Sequence, residues 1–214
     1  DFESYLLFTE WERDIEKQFY RPRQKALKVV VDALQDLEDD RLDVLGVSMP
    51  PSSGKTTLAL FYLTWIAGKY PELPSLVGSH SNSFVRGCYD ECLRMIEPNG
   101  EYLWNEVFPN LQITNTNAKD CRVDLGKRKR FETLQFTSIG NYWNQPVFLG
   151  GENADGSTIT NELSYLFLDV YDEMNIYNPK IQIKVCESTP KAILLKALDM
   201  IRRGRNSIVF VSDA

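Results

Sequence analysis

The stretch "VSMPPSSGKTTLAL", Val47 to Leu60, joins the end of an apolar run to a short loop of small residues and then to the start of a long helix. A loop of this kind surrounds a phosphate with backbone N–H groups, brings a lysine to the β- and γ-phosphates and offers a hydroxyl to Mg²⁺. Gly54, Lys55 and Thr56 occupy its last three positions. The stretch therefore predicts a phosphate-binding loop.

The other loop residues agree with this interpretation. Ser52 and Ser53 are small enough for a ligand to approach the chain closely, and the following helix directs its positive N-terminal end at the phosphates. The usual first glycine of the motif falls at Met49, and short Gly-Lys-Thr strings also occur by chance at helix starts. The strand before the loop favours nucleotide binding over chance. We expect the nucleotide contacts to come from Pro51, Ser52, Ser53, Gly54, Lys55, Thr56 and Thr57.

Helices and strands alternate on both sides of the loop up to Gly140. The helix "ESYLLFTEWERDIEKQF" and a second amphipathic helix precede the strand "LDVLGVSM", and the helix after the loop is expected to stop at Gly68. A second strand and a helix follow, and then two strand-like runs that "GKRKR" joins as a hairpin. This order predicts an α/β fold over residues 1–140, namely a P-loop NTPase-like parallel sheet with flanking helices and a β-hairpin.

Residues 141–214 predict a smaller α/β segment. Its expected elements are a helix, a strand, a second helix and a last strand, over "TNELSYLFLDVYDEM", "PKIQIKV", "STPKAILLKALDMIRRG" and "NSIVFV". A join near Gly140 thus divides the chain into two predicted domains.

Composition excludes several classes of protein. The chain has 214 residues, 43% of them hydrophobic, and a net charge of −6, which argues against a chain that coats nucleic acid unaided. No run of eighteen apolar residues is present, so no membrane span is expected. The N-terminus lacks both a methionine and a signal peptide, which suggests an excised piece. We also expect Trp11, Trp65 and Trp104 in the core.

Cysteine spacing offers a weak metal signal. Cys88 and Cys92 lie four residues apart on a predicted helix, but no second pair follows them and His80 stands alone. Reduced thiols in a cytoplasmic protein are the better interpretation.

The N-terminal part resembles the ATPase domain of viral large terminases, the motors that pump DNA into phage capsids. The resemblance covers about residues 1–140 and rests on "YRPRQKAL", "LDVLGVSMPPSSGKTTLALFYLTWIAGKYP", "LVGSHSNSFVRGCYDECLRMI" and "KRFETLQFTSIG". It implies ATP and Mg²⁺ as cofactors, with Gln24 contacting the adenine. It also implies double-stranded DNA and other packaging-motor subunits as partners, an oligomer, and a phage protein in the host cytoplasm.

Residues from about Asn141 onward resemble a different family, the glycyl-radical enzymes of the pyruvate formate-lyase type. The matching stretches are "VFLGG", "DGSTITNELSYLFLD" and "STPKAILLKALDMIRRG". These enzymes need a catalytic cysteine on a loop and a radical-bearing glycine, and neither motif lies in this segment. We assign the segment no radical chemistry.

The acidic partner of the phosphate loop is the open question. In terminases, a hydrophobic strand after the hairpin carries one acidic residue for Mg²⁺ and a second that activates water. The candidate here is Asp169, as catalytic and metal-binding residue, because four apolar residues precede it in "YLFLD". The competing interpretation places the same run in a helix capped by Thr160.

Two further basic features have alternative interpretations. Lys127, Arg128, Lys129 and Arg130 either contact DNA phosphates or form a solvated hairpin turn. Arg86 either reaches the γ-phosphate on a neighbouring subunit or is a surface arginine.

Three functions are therefore compatible with the sequence. The first is a module of a terminase-like motor that binds ATP, with or without hydrolysing it. The second is a mosaic or designed scaffold without catalytic activity, and the third is an inactive relative of the glycyl-radical enzymes.

Overall fold

The computed structural model describes residues 1–42, 44–50, 52–79, 82–98, 100–127, 131–138, 151–152, 158–159, 165–169 and 207–213. The helices are α1 (Phe2–Thr9), α2 (Gln24–Glu38), α3 (Lys55–Lys69), α4 (Asn82–Ile96) and α5 (Trp104–Val107). The strands are β1 (Val44–Met49), β2 (Ser75–Ser79), β3 (Ile113–Asn117), β4 (Arg122–Leu125), β5 (Leu134–Ser138), β6 (Gly151–Glu152), β7 (Thr158–Ile159), β8 (Tyr165–Asp169) and β9 (Ser207–Asp213).

Seven of these strands form one mixed sheet in the order β1-β9-β8-β2-β5-β4-β3. The first five strands in this order run parallel, and β4 and β3 are added antiparallel at one end. The predicted α/β class, the parallel sheet and the hairpin are therefore confirmed. Strands from both sides of residue 140 share this sheet, and the domain limits proposed from sequence stay a prediction.

The helices differ in how much of their surface is buried. Helix α2 buries Leu27, Val31, Leu34 and Leu37, which lie on one face at helical spacing. Helix α3 is buried on nearly all sides from Leu58 onward, as its almost continuous apolar sequence requires.

Aromatic side chains from several elements pack around α3. The Trp104 indole, fully buried, donates a hydrogen bond of 3.0 Å to the Thr64 carbonyl.

Gly68 lies inside α3, which runs to Lys69, so the predicted stop at Gly68 is wrong by one residue. A Cβ on Gly68 would lie 2.3 Å from the Phe108 ring, so close packing explains this glycine better than helix termination.

The first predicted helix is too long. Helix α1 ends at Thr9, and the residues between it and α2 form a loop with two short 3-10 helices, Ile15–Lys17 and Arg21–Arg23. The buried Glu10 carboxylate fixes this loop, because it accepts hydrogen bonds from the backbone N–H groups of Phe19 and Tyr20. Trp11 lies in this loop and its side chain is 63% exposed, so its predicted place in the core is wrong. Trp65 and Trp104 are buried as expected.

The helix predicted over "TNELSYLFLDVYDEM" is also wrong at Tyr165–Asp169, which form β8. A short apolar run cannot be assigned to helix or strand by periodicity alone, and here parallel pairing with β2 and β9 selects the strand.

The last predicted strand is confirmed by β9, whereas β3 and α5 were not expected. Residues 170–206, with the other predicted elements of the segment, lie outside the described residues. Within the described ranges, no helix is long and apolar enough to span a membrane.

Candidate functional site

The loop between β1 and α3 makes a tight turn. Ser52 and Gly54 both adopt left-handed conformations, with φ of 60° and 94°. Gly54 is the residue type that tolerates this conformation without strain, which explains its place just before the helix. The Ser53 N–H donates to the Pro50 carbonyl at 3.3 Å and closes the turn.

The Lys55 ammonium lies inside this loop. Its side chain folds back from the first turn of α3, and Nζ donates to the carbonyl oxygens of Met49 at 2.6 Å and Pro50 at 3.0 Å. The residue is only 8% exposed. A positive charge is thus held among polar backbone groups at the carboxyl end of a parallel strand, where ligands bind in open α/β sheets.

Several polar groups of the loop are suited to a bound anion. The Ser53 Oγ is buried and has no hydrogen-bond partner among the described residues. Among the described residues no side chain caps the N-terminus of helix α3, and the first N–H groups of a helix have no intrahelical acceptor. Thr56 and Thr57 lie half-buried in this first turn. The loop therefore combines an ammonium, a hydroxyl and a helix N-terminus.

A second wall of the site comes from the segment before α2. A Cβ on Gly54 would lie 2.7 Å from the Phe19 ring and 3.9 Å from Arg23 Cδ, so both side chains lie against the loop. Phe19 also stacks on Phe61 of α3, with ring centroids 5.7 Å apart. Sequence reasoning did not identify Phe19, although an aromatic residue close before Gln24 was a usable signal.

Gln24 begins α2 directly after Arg23, which places it near the loop. Its Nε2 donates to Glu3 Oε1 at 2.9 Å. The Tyr20 hydroxyl donates to the same oxygen at 2.9 Å, and Lys28 lies 3.4 Å from Glu3 Oε2. The amide predicted to contact adenine thus faces a carboxylate in this structure.

We expect this cluster to give a small pH dependence of stability. The hydrogen bond from Gln24 lowers the pKa of Glu3 below its ordinary value of 4.5, Tyr20 and Lys28 lower it further, and partial burial opposes them. The stabilisation is complete above the unfolded pKa and is lost as pH falls through the folded one. We measure the free energy of unfolding in urea at pH 7 and at pH 3. Between these pH values, the free energy of unfolding of Glu3→Gln should fall by about 0.5 kcal/mol less than that of the wild-type chain. Equal losses in wild type, Glu3→Gln and the exposed control Glu16→Gln would contradict the assignment.

Glu10 fixes the shape of the second wall. Its carboxylate accepts from Phe19 N at 2.8 Å and from Tyr20 N at 3.0 Å, and Arg13 Nη1 donates to it at 3.0 Å. Its side chain is 3% exposed. A buried carboxylate with these donors holds Phe19 in the position from which its ring contacts the loop.

Asp169 is the last residue of β8, at the same edge of the sheet as the loop. In the strand register it lies beside Val211 of β9, which in turn lies beside Val47 of β1. Two strand spacings separate Asp169 from Val47, or about 10 Å. Strand topology thus places Asp169 two strands away from the strand that carries the phosphate loop, and its role as a metal ligand stays a prediction.

The remaining predicted residues either lie outside the described residues or contact other parts of the chain. Pro51, His80, Arg128, Lys129 and Arg130 lie outside the described residues. Lys127 is exposed in the turn between β4 and β5, and Arg86 of α4 donates to the Ala118 carbonyl at 2.6 Å.

The described cysteines are buried thiols. Burial raises the pKa of the Cys92 thiol well above its usual value. No disulfide links Cys88, Cys92 and Cys121, and in the described part of the chain no group of three or more His, Cys, Asp or Glu side chains could hold a metal ion.

Two comparisons concern the C-terminal part of the chain. A family model described as "pyruvate formate lyase-like" matches residues 122–214, which is less than half of the chain. The trans-4-hydroxy-L-proline dehydratase of Clostridioides difficile is 40% identical over 73 residues, or 34% of this chain. The match spans only 9% of that enzyme's length.

Comparison of structures finds phage terminases. A variant of the large terminase ATPase domain of Thermus phage P74-26 aligns with a TM-score of 0.49 and 13% identity, over 79% of this chain and 58% of that one. The unmodified domain aligns with a TM-score of 0.43 and 15% identity, over 78% and 58%. The chain is thus similar both to phage terminase ATPase domains and, in its C-terminal part, to pyruvate formate lyase-like proteins.

Proposed function

We propose that the chain binds ATP with Mg²⁺ at the loop between β1 and α3. The observation that carries this proposal is the Lys55 ammonium, held inside a loop of left-handed turns at the carboxyl end of a parallel strand. In the described part of the chain the buried Ser53 Oγ has no hydrogen-bond partner and the N-terminus of α3 has no side-chain cap, and both fit the same ligand. Phosphate oxygens would replace the carbonyls that Lys55 now contacts.

Each residue has a distinct role in this proposal. Lys55 contacts the β- and γ-phosphates, and the N–H groups at the start of α3 face the phosphate chain. Thr56 and Asp169 hold Mg²⁺. Gln24 gives up its hydrogen bond to Glu3 and contacts the adenine instead. The ion that Thr56 and Asp169 would hold would supply positive charge against the charge that develops on the phosphates during phosphoryl transfer.

The biological setting we propose is a packaging motor like the terminases that the N-terminal part resembles. ATP hydrolysis by in-line attack of water on the γ-phosphate would then drive movement of double-stranded DNA between subunits. The basic turn at Lys127 to Arg130 would contact the DNA backbone. This setting rests on the proposed ATP site.

We expect Asp169→Asn to retain ATP binding and to lose at least 90% of Mg²⁺-dependent turnover, because the amide removes the negative charge that holds the ion. Binding is measured by calorimetry and turnover by phosphate release. The matched control is Asp39→Asn, which changes an exposed carboxylate at the opposite end of α2 from Gln24. Turnover that survives in Asp169→Asn would remove Asp169 from the site, and absence of ATP binding in the wild-type chain would reject the proposed function.

A second candidate function is favoured by the placement of β8 and β9. Both strands lie between β1 and β2, so the segment related to glycyl-radical enzymes supplies inner strands of the sheet. In this alternative the chain is a mosaic scaffold whose loop is purely architectural. A chain that folds cooperatively but binds no nucleotide would support it.

A further inference from the structure

A cavity of about 400 Å³ lies away from the phosphate loop, between the start of α4, the turn that joins β3 to β4, and the carboxyl end of β5. Strands β9, β8 and β2 separate β1 from β5 in the sheet. Four strand spacings correspond to about 19 Å. The cavity is therefore a separate place on the same edge of the sheet.

Positive charge from three elements converges on this cavity. Arg86 comes from α4, Lys119 from the turn and Arg122 from β4, and Asp120 is the single acidic residue among the lining residues. These side chains leave the lining with a net charge of +2. Glu132, which is not in the lining, lies 3.6 Å from Arg122.

Existing contacts hold these groups in place. Arg86 Nη1 donates to the Ala118 carbonyl at 2.6 Å, and the Arg86 side chain also interacts with the Cys121 thiol, so the guanidinium is fixed beside the turn with its positive charge at the cavity wall. The Asn117 amide donates to Asp120 Oδ2 at 2.8 Å and so engages the one carboxylate with a partner outside the cavity. The cations therefore dominate the field inside the cavity.

Neutral groups complete the lining. Asn82 begins the 15-residue helix α4, whose N-terminal end carries a positive partial charge. Ser138 is the last residue of β5, at the end of a parallel strand where ligands bind in sheets of this type. Hydroxyl, amide and guanidinium donors all suit oxygen atoms that carry negative charge.

We infer that this cavity binds a phosphate group. A phosphate monoester carries a charge of about −1.5 to −2 at neutral pH, which matches the net charge of the lining. Its tetrahedral oxygens can accept from donors on three sides, as the three elements provide. The group can belong to a free phosphate ester or to the backbone of a nucleic acid, where each phosphodiester carries a single negative charge; both sources present anionic phosphate oxygens to the same donors.

The test uses the full-length chain with Lys55→Ala, so that the phosphate loop does not contribute. Inorganic phosphate is titrated by calorimetry at low ionic strength. We expect saturable binding that weakens at least about tenfold when Arg86→Ala and Lys119→Ala are added, because charged hydrogen bonds are lost. Arg94→Ala, an exposed arginine on the same helix that pairs with Glu91, is the matched control and should change the affinity less than about twofold.

The single variant Lys119→Ala keeps the test decisive if the double variant does not fold. Lys119 lies on an exposed turn, so this substitution should leave the fold intact and still weaken phosphate binding several-fold. A single-stranded oligonucleotide that displaces phosphate identifies a nucleic-acid backbone as the source, whereas failure to displace it identifies a free phosphate ester. Absence of phosphate binding, or equal affinities in the Arg94→Ala and Lys119→Ala chains, would overturn the inference. Because Lys55 is already removed, these results do not depend on ATP binding at the loop.

Discussion

Lys55→Ala should weaken ATP binding about 10- to 100-fold, the largest functional effect of any single substitution that we expect in this chain. The ammonium is held inside the loop by the carbonyls of Met49 and Pro50, and in the complex it would make charged hydrogen bonds to phosphate oxygens. Such bonds contribute about 1.5–3 kcal/mol each, and 1.4 kcal/mol corresponds to a tenfold change in affinity. Calorimetric titration of Mg²⁺-ATP into the wild-type and variant chains measures the difference.

The same substitution has a structural cost that must be separated from binding. Without Nζ, the carbonyls of Met49 and Pro50 lose a donor in a partly buried loop, which we expect to lower the free energy of unfolding by about 1 kcal/mol. Urea unfolding quantifies this loss. Lys25→Ala is the matched control, because Lys25 is exposed on α2. Equal ATP affinities in Lys55→Ala and Lys25→Ala would show that the loop does not bind the triphosphate through this lysine.

The loop was predictable because its signal is local. Gly54 and Lys55 are adjacent in sequence, and the strand before them and the helix after them follow from apolar patterns over a few residues. The helical pattern of α2 was equally clear, since Leu27, Val31, Leu34 and Leu37 recur at helical spacing. These elements needed no knowledge of distant contacts.

Features that depend on distant contacts were not predictable in the same way. Asp169 lies in a strand because β8 pairs with β2 and β9, which are far from it in sequence. Its own apolar run fits a buried helix equally well. Phe19 lies against Gly54 only because Glu10 folds the intervening residues into a loop. No periodicity in those residues predicts the contact between Phe19 and Gly54.

Glu10→Ala should be among the most destabilising substitutions, with a loss of about 3–5 kcal/mol in the free energy of unfolding. The carboxylate is 3% exposed and accepts from Phe19 N, Tyr20 N and Arg13. Alanine would leave all three donors without this acceptor. Arg13 would keep its contacts with Glu101 at 3.0 Å and with the Tyr102 ring at 4.4 Å. The destabilisation therefore comes mainly from the N–H groups of Phe19 and Tyr20, which lose their acceptor. Urea unfolding followed by tryptophan fluorescence provides the measurement.

Two further variants distinguish the buried acceptor from a general effect of charge. Glu10→Gln keeps one acceptor oxygen and most of the volume, so it should lose about half as much stability as Glu10→Ala. Glu12→Ala removes an exposed carboxylate two residues away and should change stability by less than about 0.5 kcal/mol. If Glu10→Ala is no less stable than Glu12→Ala, the carboxylate does not organise the segment. Because Phe19 contacts the phosphate loop, a folded Glu10→Gln chain should also bind ATP more weakly than Glu12→Ala, which would link the shape of the N-terminal loop to the nucleotide site.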